Sequence, residues 1–80
     1  MVEVVFDDNF RRYFKKIKSQ SMKMQIISQI EKIRENPETG KPMRFSRKGT
    51  RELYISPYRL SYTIKEGIIY ILDLYHKDNQ

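Results

Sequence analysis

The chain of 80 residues, with 39% apolar content and a net charge of +6, fits one small domain (residues 1–80) with a single hydrophobic core. No apolar run reaches the roughly 20 residues of a membrane-spanning helix, and no signal sequence precedes the first predicted strand, so we expect a cytoplasmic protein that does not bind membranes. The absence of cysteine excludes disulfides and thiolate metal sites, and a single histidine argues against zinc. We therefore expect neither a metal nor a cofactor.

The N-terminal half predicts one strand followed by two helices. Val2–Phe6 is short, apolar and β-branched, which is typical of a strand. The candidate helix caps Asp7, Asp8 and Asn9 follow it, and apolar residues then recur at helical spacing from Phe10 to Ile17, which predicts an amphipathic helix with a basic opposite face. A second helix is predicted to begin at a serine cap, either Ser19 or Ser21, and to stop at Asn36, because the residue before a proline disfavours helical geometry. The short connection predicts an antiparallel helical hairpin whose apolar side packs on a sheet.

The C-terminal half predicts three strands. Pro37–Pro42 reads as a turn-rich connector. Arg51–Ser56 and Tyr58–Lys65 both alternate between apolar and polar residues, and the dipeptide Glu66-Gly67 predicts a hairpin turn into the apolar run Ile68–Tyr75. The order β-α-α-β-β-β predicts an α+β fold, in which the helical hairpin packs on a mostly antiparallel sheet.

Positive charge is concentrated in residues 41–65, the basic segment, which holds seven Lys or Arg and one acid, a net of +6. Residues 1–40 have a net charge of +2 and residues 66–80 a net charge of −2, so the three parts sum to +6. Clustering of one sign is typical of a surface that meets an anionic partner, although a solvated surface is the alternative. Strand-forming residues separate these charges, which predicts that the cations stand on a rigid sheet.

Two motifs give the chain a family resemblance. The Glu-Asn-Pro-x-x-Gly-Lys-Pro run at residues 35–42 follows the predicted helices, and Tyr-Arg-Leu-Ser-Tyr at residues 58–62 matches a Tyr-Arg-hydrophobic-x-Tyr strand. In this order and length the chain resembles the RelE/ParE toxin superfamily. RelE-like members cleave mRNA in the ribosomal A site, and ParE-like members poison DNA gyrase; a cognate antitoxin holds both inactive.

The resemblance implies a toxin of a type II toxin–antitoxin system, with the antitoxin, the ribosome and mRNA as partners. The leading hypothesis is a metal-independent, ribosome-dependent endoribonuclease that inhibits translation and cleaves RNA by attack of the RNA's own 2′-OH. A ParE-like gyrase inhibitor is the first alternative. A catalytically degenerate member that binds only RNA or its antitoxin is the second.

The resemblance also implies a catalytic set of Arg59, His76 and Lys77. Arg59 matches the family's strand arginine and alternates away from Leu60 and Tyr62, so its guanidinium should clamp a phosphate. The alternative is a surface arginine that pairs with Glu52 or with a backbone carbonyl. His76 lies near the position where YoeB-like relatives carry a histidine used in proton transfer, although a plain strand-end role is the alternative. Lys77 falls near a functional arginine of many RelE-like sequences.

A second group of residues is predicted to hold the RNA backbone: Arg44, Arg47, Lys48 and Arg51. Tyr54, outward on its predicted strand, is expected to stack on a base. Glu52 lies beside them and either serves as a proton acceptor or neutralises an arginine.

Overall fold

The structure is a computed structural model that describes residues 2–43 and 49–77. The described elements are β1 (Glu3–Phe6), α1 (Asp8–Lys16), α2 (Gln20–Glu35), a 3₁₀ turn (Pro37–Thr39), β2 (Lys41–Pro42), β3 (Arg51–Ile55), β4 (Tyr58–Lys65) and β5 (Ile68–His76). The strands form one sheet in the order β1-β5-β4-β3-β2. Only β1 and β5 pair in parallel; the other described neighbours are antiparallel. The predicted α+β class is confirmed.

Asp7 and Ser19, each one of several candidate caps in the sequence, cap the two helices. The Asp7 side chain accepts a hydrogen bond from the backbone N–H of Asn9 at 2.9 Å, and the Ser19 hydroxyl accepts one from Met22 at 3.1 Å. Each bond satisfies a first-turn donor that has no partner within the helix. Asn36 has extended backbone angles and ends α2, as expected for the residue before a proline.

The core lies between the two helices and one face of the sheet, called here the helical face. Its buried residues are Phe10, Ile17, Ile26, Ile30 and Ile33 from the helical half of the chain and Ile55, Leu60, Tyr62, Ile69, Ile71 and Leu74 from the strands. The opposite side of the sheet is called the open face. None of the helices in the described part of the chain is long and apolar enough to cross a membrane.

Two features of the sheet differ from the structure that the sequence predicts. Lys41 and Pro42, predicted to belong to a turn-rich connector, form the edge strand β2 and pair with Glu52 and Arg51. An edge strand tolerates proline because one side of it needs no backbone donor. The second feature is a bulge in β5: Ser61 pairs with Asp73 but Tyr62 pairs with Ile71, which leaves Leu72 without a partner on β4. The extra residue reverses the alternation of β5 beyond this point.

Candidate active site on the open face

A buried tyrosine fixes the connector that forms one wall of the site. The Tyr62 hydroxyl accepts a hydrogen bond from the N–H of Gly40 at 2.8 Å and donates one to the carbonyl of Pro37 at 2.7 Å. Arg51 donates from Nη1 to the carbonyl of Gly40 at 2.7 Å. A Cβ atom at Gly40 would lie 2.9 Å from the Tyr62 ring and hydroxyl, so only glycine permits this close approach. The connector is thereby held against the sheet and leads directly into β2.

An ion pair stands on the open face, where β3, β4 and β5 lie side by side. Arg59 donates from Nη1 to Oε1 of Glu52 at 3.1 Å, and the Tyr75 hydroxyl donates to Oε2 of the same carboxylate. The Glu52 side chain is only 8% exposed, whereas that of Arg59 is 35% exposed. A carboxylate so deeply buried requires charged or hydroxyl donors to offset its desolvation. Glu52 and Tyr75 therefore hold the Arg59 guanidinium in one orientation.

A tyrosine and a lysine extend this group toward solvent. The Arg59 guanidinium carbon lies 5.5 Å from the centre of the Tyr54 ring, and the Tyr54 hydroxyl donates to Oγ of Ser56 at 3.2 Å. The hydrogen bond with Ser56 is the largest cause that lowers the pKa of Tyr54. The charge and hydrogen bonding of Lys77 and the charge of Arg59 also lower this pKa, whereas desolvation raises it by less than the Ser56 bond lowers it. Together these residues form the Arg59 cluster: Glu52, Tyr54, Arg59, Tyr75 and Lys77.

A cleft opens beside the Arg59 cluster. Its volume is about 430 Å³ and its lining residues are Thr39, Lys41, Pro42, Met43, Glu52, Leu53, Tyr54 and Arg59. Lys41 and Arg59 supply positive charge to the lining, and Tyr54 supplies an aromatic surface that is 50% exposed. A cleft of this size has room for a nucleotide. Its lining suits a phosphate beside a base, because the two cations can bind the phosphate and the Tyr54 ring can stack on the base.

His76 lies on the other side of the sheet. It pairs with Tyr58, and the two rings meet edge to face with centres 5.8 Å apart. Both line a second cleft of about 300 Å³ near the end of α1, together with Tyr13, Lys16, Ile17, Leu74 and Tyr75. Arg59 pairs instead with Tyr75, the neighbour of His76. Because consecutive strand residues point to opposite faces, His76 does not lie on the open face with Arg59, whereas Lys77 acts on Tyr54, which lies against Arg59.

The predicted RNA-holding residues are also divided. Arg51 pairs with Tyr62, so it lies on the helical face. Its guanidinium donates hydrogen bonds to the carbonyl of Gly40 and, at 3.4 Å, to that of Glu38. Tyr54 is on the open face beside Arg59, as its outward position predicts. Arg44, Arg47 and Lys48 lie outside the described residues.

Tyr75 is a residue of the site that neither the motifs nor the charge pattern of the sequence indicates. It sits in the nearly continuous apolar run of β5, and its hydroxyl meets Glu52 only because the strands bring residues 23 positions apart into contact. The sequence signal that could have indicated Tyr75 is a hydroxyl within an otherwise apolar strand, because a buried tyrosine hydroxyl usually has a hydrogen-bond partner. Over residues 2–43 and 49–77, no group of three or more His, Asp or Glu residues is arranged to hold a metal ion.

Comparisons with known proteins give the chain a family. Residues 4–80 match the sequence model of the family described as the ParE toxin of the type II toxin-antitoxin system, parDE. None of the curated proteins matches the sequence.

Solved structures with the same fold include the intact Escherichia coli RelBE toxin-antitoxin complex, with a TM-score of 0.81, 14% identity and coverage of 95% of this chain and 96% of the other. The YoeB-YefM complex from Staphylococcus aureus has a TM-score of 0.79, 18% identity and coverage of 95% and 98%. The RelBE2 toxin-antitoxin complex of Mycobacterium tuberculosis has a TM-score of 0.68, 26% identity and coverage of 95% and 98%. The family match and these folds agree with the predicted resemblance, which is thereby confirmed. The chain belongs to the RelE/ParE superfamily, as a toxin of a type II toxin–antitoxin system.

Proposed function

We propose that this toxin is a ribosome-dependent endoribonuclease that cleaves mRNA and so inhibits translation. The observation that carries the proposal is the Arg59 cluster, which places a fixed guanidinium beside an open cleft on the face of the sheet away from the helices. The mRNA chain would enter this cleft with one phosphate against Arg59. The ribosome would supply the unpaired codon in an extended form that a small protein can reach.

The chemistry of RNA cleavage explains why a fixed arginine is needed. When the 2′-OH attacks the neighbouring phosphorus, negative charge accumulates on the phosphate oxygens, and donors already in place stabilise that charge most effectively. Arg59 uses Nη1 to bind Glu52, while its Nε is buried with no hydrogen-bond partner. A phosphate oxygen in the cleft would bind the exposed part of this planar group, whose side chain is 35% exposed. Lys41, on the wall of the same cleft, would hold a neighbouring phosphate.

We also propose that the antitoxin covers the basic segment. Residues 41–65 carry a net charge of +6, so a covering antitoxin segment should be acidic. Such a segment would occupy the cleft beside Arg59 and exclude mRNA. The proposed inhibition is therefore competitive, and it needs no change in the toxin fold.

Gyrase inhibition is the second candidate function, and the specific observation in its favour is the ParE description of the matching family. ParE-like action requires a binding surface for gyrase and no proton transfer. The two candidates differ in what they demand of Arg59, because only cleavage requires its guanidinium to contact a scissile phosphate.

The deciding experiment places the purified toxin on ribosomes programmed with a defined message and maps cleavage in the A-site codon by toeprinting. We expect the wild type to cleave, and Arg59→Ala to reduce the single-turnover rate by about 10²–10³-fold, the usual cost of losing one transition-state donor. Arg59→Lys should be nearly as slow, because it keeps the charge but loses the planar fork.

The matched control is Lys65→Ala, which removes an exposed cation at the far end of the same strand. It should leave cleavage close to wild type. If the wild type gives no ribosome-dependent cleavage but blocks supercoiling by DNA gyrase, the second candidate replaces the first. If it does neither, the toxin is a member that only binds RNA or its antitoxin.

A further inference from the structure

We propose that Tyr54 and Glu52 are the proton-transfer pair of this site: Tyr54 donates a proton to the leaving 5′-oxygen of the RNA, and Glu52 accepts the proton of the attacking 2′-OH. This assignment rests on the proposed mRNA cleavage and gives each group of the Arg59 cluster a separate role. It departs from the predicted roles, in which His76 transfers a proton and Tyr54 stacks on a base.

The position of Tyr54 favours contact with a substrate bound at Arg59. Its ring lies against the Arg59 guanidinium, at 5.5 Å from carbon to ring centre, and both residues line the same cleft. Half of the Tyr54 surface is exposed, so its hydroxyl can meet RNA without rearrangement of the core. A phosphate clamped by Arg59 therefore has its bridging oxygens near a phenolic proton donor.

The surroundings of the Tyr54 hydroxyl favour loss of its proton. The hydroxyl is bonded to Ser56 at 3.2 Å, and that serine can reverse the bond and donate to the oxygen once Tyr54 is ionised. The ammonium of Lys77 and the guanidinium of Arg59 stabilise the same negative charge, and these effects together lower the pKa of Tyr54. Lys77 is thus a positioning residue that acts through Tyr54.

Glu52 is the carboxylate in the lining of the cleft that can accept the other proton. Hydrogen bonds from Arg59 and Tyr75 fix its orientation. In the proposed step the bond from the 2′-oxygen to phosphorus forms and the bond from phosphorus to the 5′-oxygen breaks. The 2′-OH proton passes to Glu52 and the Tyr54 proton passes to the 5′-oxygen, which gives a 2′,3′-cyclic phosphate and a 5′-hydroxyl. Glu52 then releases its proton to water and Tyr54 regains one, so the enzyme is restored.

The test uses two messages that differ in one atom at the cleaved bond, placed in the A site of programmed ribosomes. One carries the ordinary 5′-oxygen and the other a 5′-sulfur, which leaves as a thiolate and needs no proton donor. We expect Tyr54→Phe to slow cleavage of the oxygen message by about 10²–10⁴-fold, the usual contribution of a general acid. The same variant should cleave the sulfur message at close to the wild-type rate.

Arg59→Ala and Glu52→Gln should cleave both messages slowly, because neither residue protonates the leaving group and the sulfur atom therefore does not compensate for its loss. Tyr70→Phe, which changes a tyrosine of β5 outside the cleft, is the matched control and should behave as wild type on both. Equal slowing of Tyr54→Phe on both messages would mean that Tyr54 stacks on a base, and full activity on both would mean that it has no catalytic role. Either result overturns the inference while the proposed function stands, whereas a wild type inactive on both messages overturns the proposed function as well.

Discussion

Arg59 and His76 lie on opposite faces of the sheet, although both come from the paired ends of β4 and β5. Arg59 pairs with Tyr75 and faces the open cleft, while His76 pairs with Tyr58 and faces the end of α1. Because consecutive strand residues point to opposite faces, we expect that a phosphate bound at Arg59 does not contact His76. The histidine is therefore separated from the chemistry that Arg59 would perform.

This separation predicts that His76→Gln keeps most of the cleavage activity. Loss of a proton-transfer group costs about 10²–10⁴-fold in rate, whereas we expect less than about a tenfold reduction for His76→Gln. The measurement is the single-turnover rate on programmed ribosomes, compared with Arg59→Ala in the same preparation. A loss as large as that of Arg59→Ala would restore the sequence-based hypothesis of a catalytic histidine.

The reason that sequence alone could not place His76 is the bulge at Leu72. In an uninterrupted strand, the buried Ile69 and Ile71 would put Tyr75 on the helical face and His76 on the open face with Arg59. The unpaired Leu72 reverses this order.

What the sequence could predict depended on local rules. Capping rules narrowed the start of α2 to Ser19 or Ser21, and the proline after Asn36 fixed its end. Alternation along the strand predicted that Arg59 points to the face opposite the buried Leu60. Contacts set by strand register could not be predicted in this way. The meeting of Tyr75 with Glu52 depends on which strands are neighbours and on one extra residue, neither of which has a local signal.

The buried carboxylate predicts a coupling between Glu52 and Tyr75. Glu52→Gln should lower the free energy of unfolding by about 1–3 kcal/mol, because it weakens bonds to two donors at a site where Arg59 is partly exposed. Tyr75→Phe should lower the free energy of unfolding by less than Glu52→Gln does. The double variant should lower it by less than the sum of the two single losses, since both changes affect the same hydrogen bond. Urea unfolding of the four proteins measures this, with Tyr70→Phe as a control for loss of a tyrosine hydroxyl. Strict additivity would mean that the two residues do not act as a unit.

The close approach at Gly40 predicts a strong effect from a very small side chain. In Gly40→Ala the added Cβ would lie 2.9 Å from the Tyr62 hydroxyl and 3.0 Å from the Glu52 carbonyl, so the connector must move. We expect a loss of about 1–3 kcal/mol in unfolding free energy, as is usual for overpacking. Gly67→Ala is a useful contrast, because its Cβ would meet nothing within 4 Å and its cost comes only from a φ of +79°. Thermal unfolding of both separates a steric cost from a backbone cost, and an unchanged melting temperature for Gly40→Ala would contradict the steric explanation.

The lowered pKa of Tyr54 predicts how cleavage depends on pH. As a proton donor, Tyr54 is active when protonated, so the rate should fall as pH rises through its pKa, which lies below the ordinary value of 10.0. Lys77→Met removes a positive charge that lowers this pKa, and the alkaline fall should therefore move to higher pH. The rate of Tyr54→Phe should not show this fall. Single-turnover rates at several pH values measure the shift, with Lys65→Met as the control for loss of a lysine. A fall that moves to lower pH in Lys77→Met would contradict the assignment.

The pKa of Tyr62 is shifted in the opposite direction from that of Tyr54. Burial raises the pKa of Tyr62 above 10.0, against smaller opposing effects of the Gly40 N–H and Arg51. A phenol that holds its proton more tightly in the folded state stabilises the fold fully below the unfolded pKa, and this stabilisation is lost as pH rises from about 10 toward the folded value.

Tyr62→Phe removes this pH-dependent contribution and the hydrogen bonds to Gly40 and Pro37. Because the buried N–H of Gly40 is then left without its acceptor, we expect a loss of about 1–3 kcal/mol in unfolding free energy at pH 7. The difference from wild type should shrink above pH 10, where the wild type loses the contribution of its neutral phenol. Denaturant unfolding at pH 7 and pH 10.5 tests both statements, and Tyr70→Phe controls for the number of tyrosines. A difference that stays constant between the two pH values would show that the Tyr62 hydroxyl acts only through its hydrogen bonds.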